Sequence, residues 1–301
     1  MRVLLTGAGG FVGRWLTAEL AAAGHEVIPA PPHRELDLAA RPDLGPLISR
    51  TRPDAVAHLA GMAYGPDAVR DPEAAIAVNA GGTAAVLAGL DAAGSASPAL
   101  IVTSSDVYGS PATLPVPESA PVRPKDAYGR SKAAEERVAL EAHARGRALV
   151  IARSFNHTGP GQRAEFAAPA LASRVLAVKL GDASEIRAGN LESRRDFTDV
   201  RDVVRAYRLL LERLVGPDGL GVEPPVVNVG SGRSVAIREV LETLCRMAGV
   251  APQVRVDPSL LRPDDVADVY ADVSLLRQLT GWEPRIPLEQ TLADLLASIQ
   301  G

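Results

Sequence analysis

The 301-residue chain has a single cysteine, Cys245, and three lysines among its 32 basic residues. One thiol cannot close an internal disulfide, so covalent stapling is excluded and a reducing compartment is the expectation. Long apolar runs are missing too, which argues against a bilayer span, and a glycine loop beginning at Gly7 leaves no room for a leader ahead of it. The expected setting is the cytoplasm, with no membrane partner. No charge of one sign accumulates: the net charge is −4 and arginines are dispersed among acids, so nothing recommends nucleic acid as a partner. His58, the most tempting metal ligand, has no Cys, His or acid nearby at ligand spacing; it reads as structural, and no metal is expected. What the chain has in quantity is apolar residues, 47 % of the total, enough for one or two cores at this length.

Residues 3–6 read as a short buried strand, followed by Gly7, Gly10, Phe11, Val12 and Gly13 and then a segment of helical composition. Strand, glycine turn and helix form the entry to a dinucleotide-binding fold. The glycines permit the turn, let a pyrophosphate approach the backbone, and let the helix pack closely on the strand. Past a second strand at 26–28 the chain runs to His33, Arg34, Glu35 and Asp37. An acid at this point reads a ribose hydroxyl of NAD, and a basic group accommodates the 2′-phosphate of NADP. No acid ends the strand, so Arg34, helped by His33 and Arg14, favours NADP, with Asp37 on the adenine side; Glu35 keeps NAD open. Residues 54–61 form a further strand ending at Leu59, Ala60 and Gly61, on the side where an open parallel sheet holds its ligand.

The apolar run 99–103 delivers Ser104, Ser105 and Asp106, and a proline-rich loop at 111–124 precedes the helix that carries Tyr128 and Lys132. Residues four apart on a helix share a face, so the Lys132 ammonium is expected one turn from the Tyr128 phenol. A nearby positive charge favours the phenolate, which makes such a phenol a proton donor to a carbonyl under reduction. Ser104 would hydrogen-bond the oxygen on which charge develops. The alternation of strands and helices up to residue 155 predicts an α/β fold with a doubly wound parallel sheet, a Rossmann fold. Beyond 156 the rhythm breaks. The expected division is a dinucleotide-binding domain of 1–155 plus a return segment 197–230, and a smaller, mostly α substrate domain of 156–196 and 231–301.

Taken together, Thr6-Gly7-x-x-Gly10-Phe-Val-Gly13, Asp37-Leu38, His58-Leu-Ala-Gly61, Asn79-x-Gly-Gly-Thr83, Ser104-Ser-Asp-Val-Tyr-Gly109, Tyr128-x-x-x-Lys132 and Arg153-Ser-Phe-Asn156 resemble an extended short-chain dehydrogenase/reductase. In the second half, Phe155-Asn-His-Thr-Gly-Pro-Gly-Gln162, Gly189-Asn-Leu-Glu-Ser-Arg-Arg-Asp196 and Leu261-Arg262-Pro-Asp-Asp265 resemble the branch containing GDP-mannose 4,6-dehydratases and GDP-4-dehydro-6-deoxy-D-mannose reductases. The resemblance implies Tyr128 as acid/base, Lys132 as its tuner and a ribose ligand, and Ser104 as the carbonyl clamp. It implies cofactor contacts at the glycine loop and at Arg34, Asp37, Leu38, Leu59, Ala60 and Gly61. Ser105, Asp106, Asn156, Arg195, Arg262 and Asp265 would surround the nucleotide sugar. A guanidinium fork suits a diphosphate; the other role open to Arg195 and Arg262 is an ion pair with Asp196 or Asp265.

The family's dehydratase pattern places Glu two residues after the clamp, where this chain has Asp106, shorter by one carbon–carbon bond of about 1.5 Å. The dehydratases also carry a basic insertion after the second strand, for which 28–37 is too short. The resemblance therefore implies an NADPH-dependent reductase acting on C4 of GDP-4-dehydro-6-deoxy-D-mannose, giving GDP-D-rhamnose, as a homodimer. The alternatives are a nucleotide-sugar 4,6-dehydratase or 4-epimerase and, in another class, a non-catalytic NAD(P)-binding sensor. A sensor would be expected to lack one of Ser104, Tyr128 and Lys132, and all three are present.

Overall fold

In the computed structural model, residues 1–261 and 265–300 are described. Six parallel strands form the central sheet: β1 (Arg2–Thr6), β2 (Glu26–Pro29), β3 (Ala55–His58), β4 (Ala99–Ser104), β5 (Leu149–Ser154) and β6 (Val226–Val229), in the order β6-β5-β4-β3-β1-β2. The chain starts near one side of the sheet and winds outward in both directions. The strand ends flanking the switch between β1 and β3 therefore open onto a common crevice.

Alternation within the strands builds two apolar layers. Val3 and Leu5 of β1 face one layer with Leu16 and Leu20, while Leu4 faces the other with Leu38, Val86 and Leu90. Because both faces are covered, the strands read as nearly unbroken apolar runs. The first layer is closed by α1 (Phe11–Ala22) and α4 (Val200–Val215). Helix α4 buries Val200, Val203, Val204, Tyr207, Leu210, Leu211 and Leu214, the stripe expected of an amphipathic helix on a sheet. The second layer is closed by α2 (Gly82–Ala92) and α3 (Ala127–Ala144).

Helices Ala167–Leu180, Ile237–Ala248 and Leu288–Gln300 surround a separate core that includes Leu171, Val175, Ile186, Leu241 and Leu295. Within 231–301, the stretch expected in this smaller unit, Leu276 and Trp282 instead join the core of the parallel sheet. The Trp282 indole donates to the Asp202 carbonyl at 2.9 Å, which holds the segment against α4. Among the described residues one helical run, Pro72–Ala92, is long and apolar enough to cross a membrane, where the sequence predicts none; most of it is buried inside the protein, as in a core helix.

Candidate active site

Ser104 is the last residue of β4, paired across the sheet with Ser154 of β5. Its side chain accepts from the Asp106 N–H at 3.2 Å and so caps the short turn Ser105–Tyr108. Helix α3 starts after Pro124 with Asp126 as cap, accepting from the Gly129 N–H at 2.7 Å. Its first turn lies hard against the Ser105–Tyr108 turn. A Cβ at Gly129 would stand 2.6 Å from the Asp106 carbonyl oxygen, so a glycine at this position lets the two elements touch. The contact brings the half-buried Tyr128 phenol beside the Ser104 hydroxyl, with the Asp106 carboxylate close by.

The electrostatics of the phenol differ from the sequence expectation. Burial, then Asp106, push its pKa above the usual ~10, with Glu135 adding to the rise and Ser104 opposing it. Lys132 was expected to lower it. It is not among the main influences on the phenol, and its buried ammonium is already compensated: it donates to Glu135 Oε2 at 2.7 Å and to the Val102 carbonyl at 3.1 Å. Lys132 nevertheless reaches the crevice, since a Cβ on Gly61 would lie 3.5 Å from its Nζ.

The glycine loop meets the end of β3 without space to spare. Gly7 has φ +73°, and a Cβ there would lie 2.8 Å from the Ala60 nitrogen; a Cβ at Gly13 would fall 2.0 Å from the Gly7 carbonyl oxygen. Gly10 begins α1 with no side-chain cap, which leaves the first helical N–H groups without a side-chain partner. A cradle of bare backbone at a helix start fits the pyrophosphate of a dinucleotide. Phe11 stacks on His157 at 6.4 Å, Arg14 donates to the Gly161 carbonyl at 3.3 Å and Trp15 to that of Pro160 at 3.1 Å, closing the loop's outer side.

Arg34 is exposed beside Glu35, 3.3 Å away, and Asp37 accepts from the Ala39 N–H at 3.0 Å. The Leu38 side chain belongs to the core, so its possible cofactor contact is through backbone. His58 is hydrogen-bonded to Thr6 Oγ1 at 2.7 Å, and burial, then Lys132, lower its pKa to about 3. It is a neutral strand-to-strand tie, in line with its structural reading.

Toward the smaller unit, Ser105 is buried while Asp106 and Asn156 are exposed. Arg195 is occupied: it donates to Asp265 at 2.5 Å and to the carbonyls of Arg194 at 2.7 Å and Val266 at 2.5 Å. Asp265 also accepts from Asn190 at 2.9 Å and from Ser193. Burial alone would raise the Asp265 pKa, but Ser193, Arg195 and Asn190 outweigh it and leave the carboxyl below its ordinary value. Of the two ion pairs left open for Arg195, the one with Asp265 forms. Asp196 is instead buried, accepting from the N–H groups of Ser231 at 2.7 Å, Gly232 at 3.0 Å and Ala271 at 3.1 Å. Arg262 lies outside the described residues.

The family described as GDP-mannose 4,6 dehydratase matches residues 30–295. The chain belongs to this family. Across 98 % of the chain it is 38 % identical to a GDP-6-deoxy-D-mannose reductase of Pseudomonas aeruginosa, covering 96 % of that protein. It is 26 % identical to a GDP-6-deoxy-D-talose 4-dehydrogenase of Aggregatibacter actinomycetemcomitans, covering 93 % of this chain and 92 % of that protein. The solved structure of RMD from P. aeruginosa complexed with NADPH superposes with a TM-score of 0.88 at 37 % identity, over 99 % of this chain and 98 % of that one. The family is therefore that of the NAD(P)-dependent nucleotide-sugar reductases, epimerases and dehydratases, within the extended short-chain dehydrogenase/reductases.

In this member of the GDP-mannose 4,6 dehydratase family, several residues that the sequence motifs contained without an assigned role support the site. Asn79 lies in a wide helical turn, Ala77–Gly81, where its side chain accepts from the Met62 N–H at 2.8 Å and donates to Ser131 at 2.8 Å. Arg153 grips Glu136 with its closest contact at 2.7 Å and donates to Tyr108 at 3.0 Å. Tyr108 in turn donates to Asn228 at 2.7 Å, linking α3 to β5 and β6. The available signal was a polar residue inside an otherwise apolar or helical stretch, which becomes informative only once the facing residue is known.

Proposed function

We propose that the protein reduces the C4 keto group of GDP-4-dehydro-6-deoxy-D-mannose to give GDP-D-rhamnose, with NADP as cofactor and NAD as a possible substitute. The observation that carries this reading is the Tyr128 phenol held beside Ser104 at the crevice of a parallel sheet, in a chain 38 % identical to a GDP-6-deoxy-D-mannose reductase over nearly its full length. When bound, the reduced nicotinamide supplies the hydride. Gly7, Gly10, Phe11, Val12 and Gly13 would hold its pyrophosphate, Arg34 and Asp37 its adenosine end, and Leu59, Ala60, Gly61 and Lys132 its inner ribose.

Ser104 donates to the C4 oxygen as negative charge develops there, and Tyr128 gives that oxygen its proton: the phenol O–H bond breaks, an alcohol O–H bond forms, and the phenolate is reprotonated from solvent. The raised phenol pKa keeps the donor protonated through neutral pH. Ser105, Asp106 and Asn156 contact the sugar. Arg195 engages the diphosphate by exchanging Asp265 for it, with Arg262 as a second anchor. Asp106, shorter than the Glu of the dehydratase pattern, contacts a sugar hydroxyl instead of moving a proton at C5. Residues 1–155 with 197–230 serve the cofactor, and 156–196 with 231–301 the nucleotide sugar. The reading carries with it a cytoplasmic homodimer, checked by cell fractionation and by light scattering.

The test is loss of NADPH absorbance with the purified protein and the keto sugar made in situ, run beside GDP-mannose alone. Oxidation only with the keto sugar, yielding a reduced 6-deoxy product, is expected. Conversion of GDP-mannose with no net NADPH loss would make the protein a dehydratase and Asp106 its acid.

A further inference from the structure

The buried ammonium of Lys132 has a partner that neither the family motif nor the reductase reading employs. Glu135 is 1 % exposed, and both of its oxygens are engaged: Oε2 accepts from the Lys132 ammonium at 2.7 Å and Oε1 from the Thr83 hydroxyl at 2.9 Å. Thr83 sits on α2, one turn beyond the wide turn in which Asn79 binds Ser131. Two polar ties thus lock α2 to the face of α3 that carries the candidate proton donor. A carboxylate gripped from both sides cannot turn away from the lysine without leaving the Thr83 hydroxyl unpaired in the interior.

The geometry points to Glu135 as a positioning residue for the reduction: it fixes the Lys132 ammonium between α3 and the Val102 carbonyl, and its own charge offsets that ammonium at the Tyr128 phenol. This role rests on the reductase reading above. The pair presents the phenol with a nearly neutral unit, whereas an unaccompanied ammonium would pull its proton off at lower pH.

The other groups around this unit do not substitute for Glu135. Glu136, on the same helix, is neutralised by Arg153 of β5 at 2.7 Å. His58 of β3 is held neutral by burial and by Lys132. Asp106, beyond β4, raises the phenol pKa and does not compensate the ammonium, and Tyr207 of α4 is hydrogen-bonded to Ser154. On the short helices Gly65–Arg70 and Pro72–Ile76, Asp67 pairs with Arg70 at 2.8 Å, and Asp71 and Glu73 are exposed. Only Glu135 places a compensating charge in contact with the ammonium among the described residues.

The experiment compares Glu135→Gln, Glu135→Asp and the wild type in the pH profile of keto-sugar reduction, and in a titration of the phenol by carbon-13 NMR of ring-labelled tyrosine without cofactor, assigned with Tyr128→Phe. Glu135→Gln keeps the shape and removes the charge. The alkaline limb of kcat and the phenol titration should both move to lower pH by about one unit, the low end of what a single neighbouring charge produces. Glu135→Asp keeps the charge and should return the limb most of the way.

A Glu135→Gln protein that loses activity equally at every pH, with the phenol titration unmoved, overturns the proposal and leaves Glu135 a packing residue. If the Gln variant does not fold, Glu135→Asp decides: a limb displaced to lower pH by a fraction of a unit supports the proposal, and an unmoved limb overturns it. Full turnover in Tyr128→Phe would sink the reductase mechanism itself, an outcome distinct from failure of the Glu135 role.

Discussion

Tyr128 and Lys132 share a helix face, yet the lysine reaches the phenol as half of an ion pair. The acid is therefore set by burial, Asp106 and Ser104 rather than by a bare positive charge. Tyr128→Phe removes the proton and little else. It is expected to lower kcat by about 10²–10⁴-fold, the usual contribution of a positioned acid, while NADPH affinity measured by fluorescence quenching stays within a factor of a few. Unchanged turnover would show that another group donates the proton. At the cofactor's other end, Arg34 is exposed and, among the described residues, paired with the neighbouring Glu35, so it is available to a 2′-phosphate. Arg34→Ala is expected to weaken NADPH binding about tenfold, within the range of a charge-assisted hydrogen bond, and to leave NADH binding untouched. Equal loss for both cofactors, measured by calorimetry, would remove Arg34 from the 2′ site.

At the scale of elements, helix α3 is held by contacts of two kinds. Gly129 allows its first turn to meet the Ser105–Tyr108 turn, and farther along the helix Glu136 anchors it to the sheet through Arg153 and Thr103, at 2.7 Å and 2.8 Å. Both ends of the Glu136–Arg153 pair are almost fully buried. Removing one partner leaves an uncompensated charge in the interior, so Glu136→Gln is expected to destabilise the fold by about 3–5 kcal/mol. Urea unfolding measures this, and a change below about 1 kcal/mol would mean that water reaches Arg153. The strands, the glycine turn and α3 itself were legible in advance because apolar runs and the glycine- and proline-rich segments that bound them are local signals. Glu135 and Glu136 were not, since on a helix surface two adjacent acids look solvated until Thr83, Thr103 and Arg153 are brought to them by α2, β4 and β5.

For the whole molecule, two apolar layers clamp the parallel sheet and a third core gathers the helices of the smaller unit, with Trp282 and Leu276 fastening the late chain back to the first layer. A ligand seated in the crevice binds only the folded arrangement, so NADPH at one hundred times its Kd is expected to add about 2.7 kcal/mol of stability. Differential scanning fluorimetry should show a rise in Tm that saturates with NADPH and is diminished in Arg34→Ala. No rise at saturating cofactor would mean that the glycine cradle is not a dinucleotide site.

Whatever depends on neighbours in the chain was settled by the sequence alone: the doubly wound α/β class, the glycine turn, Ser104 at a strand end, and Tyr128 and Lys132 on one helical face. The tertiary structure decided which charges face each other. It gave Arg195 to Asp265, buried Asp196 among backbone N–H groups, and set Arg153 against Glu136. A polar side chain's role follows from the partner that balances its desolvation, and in a wound parallel sheet that partner comes from a strand or helix far away in sequence.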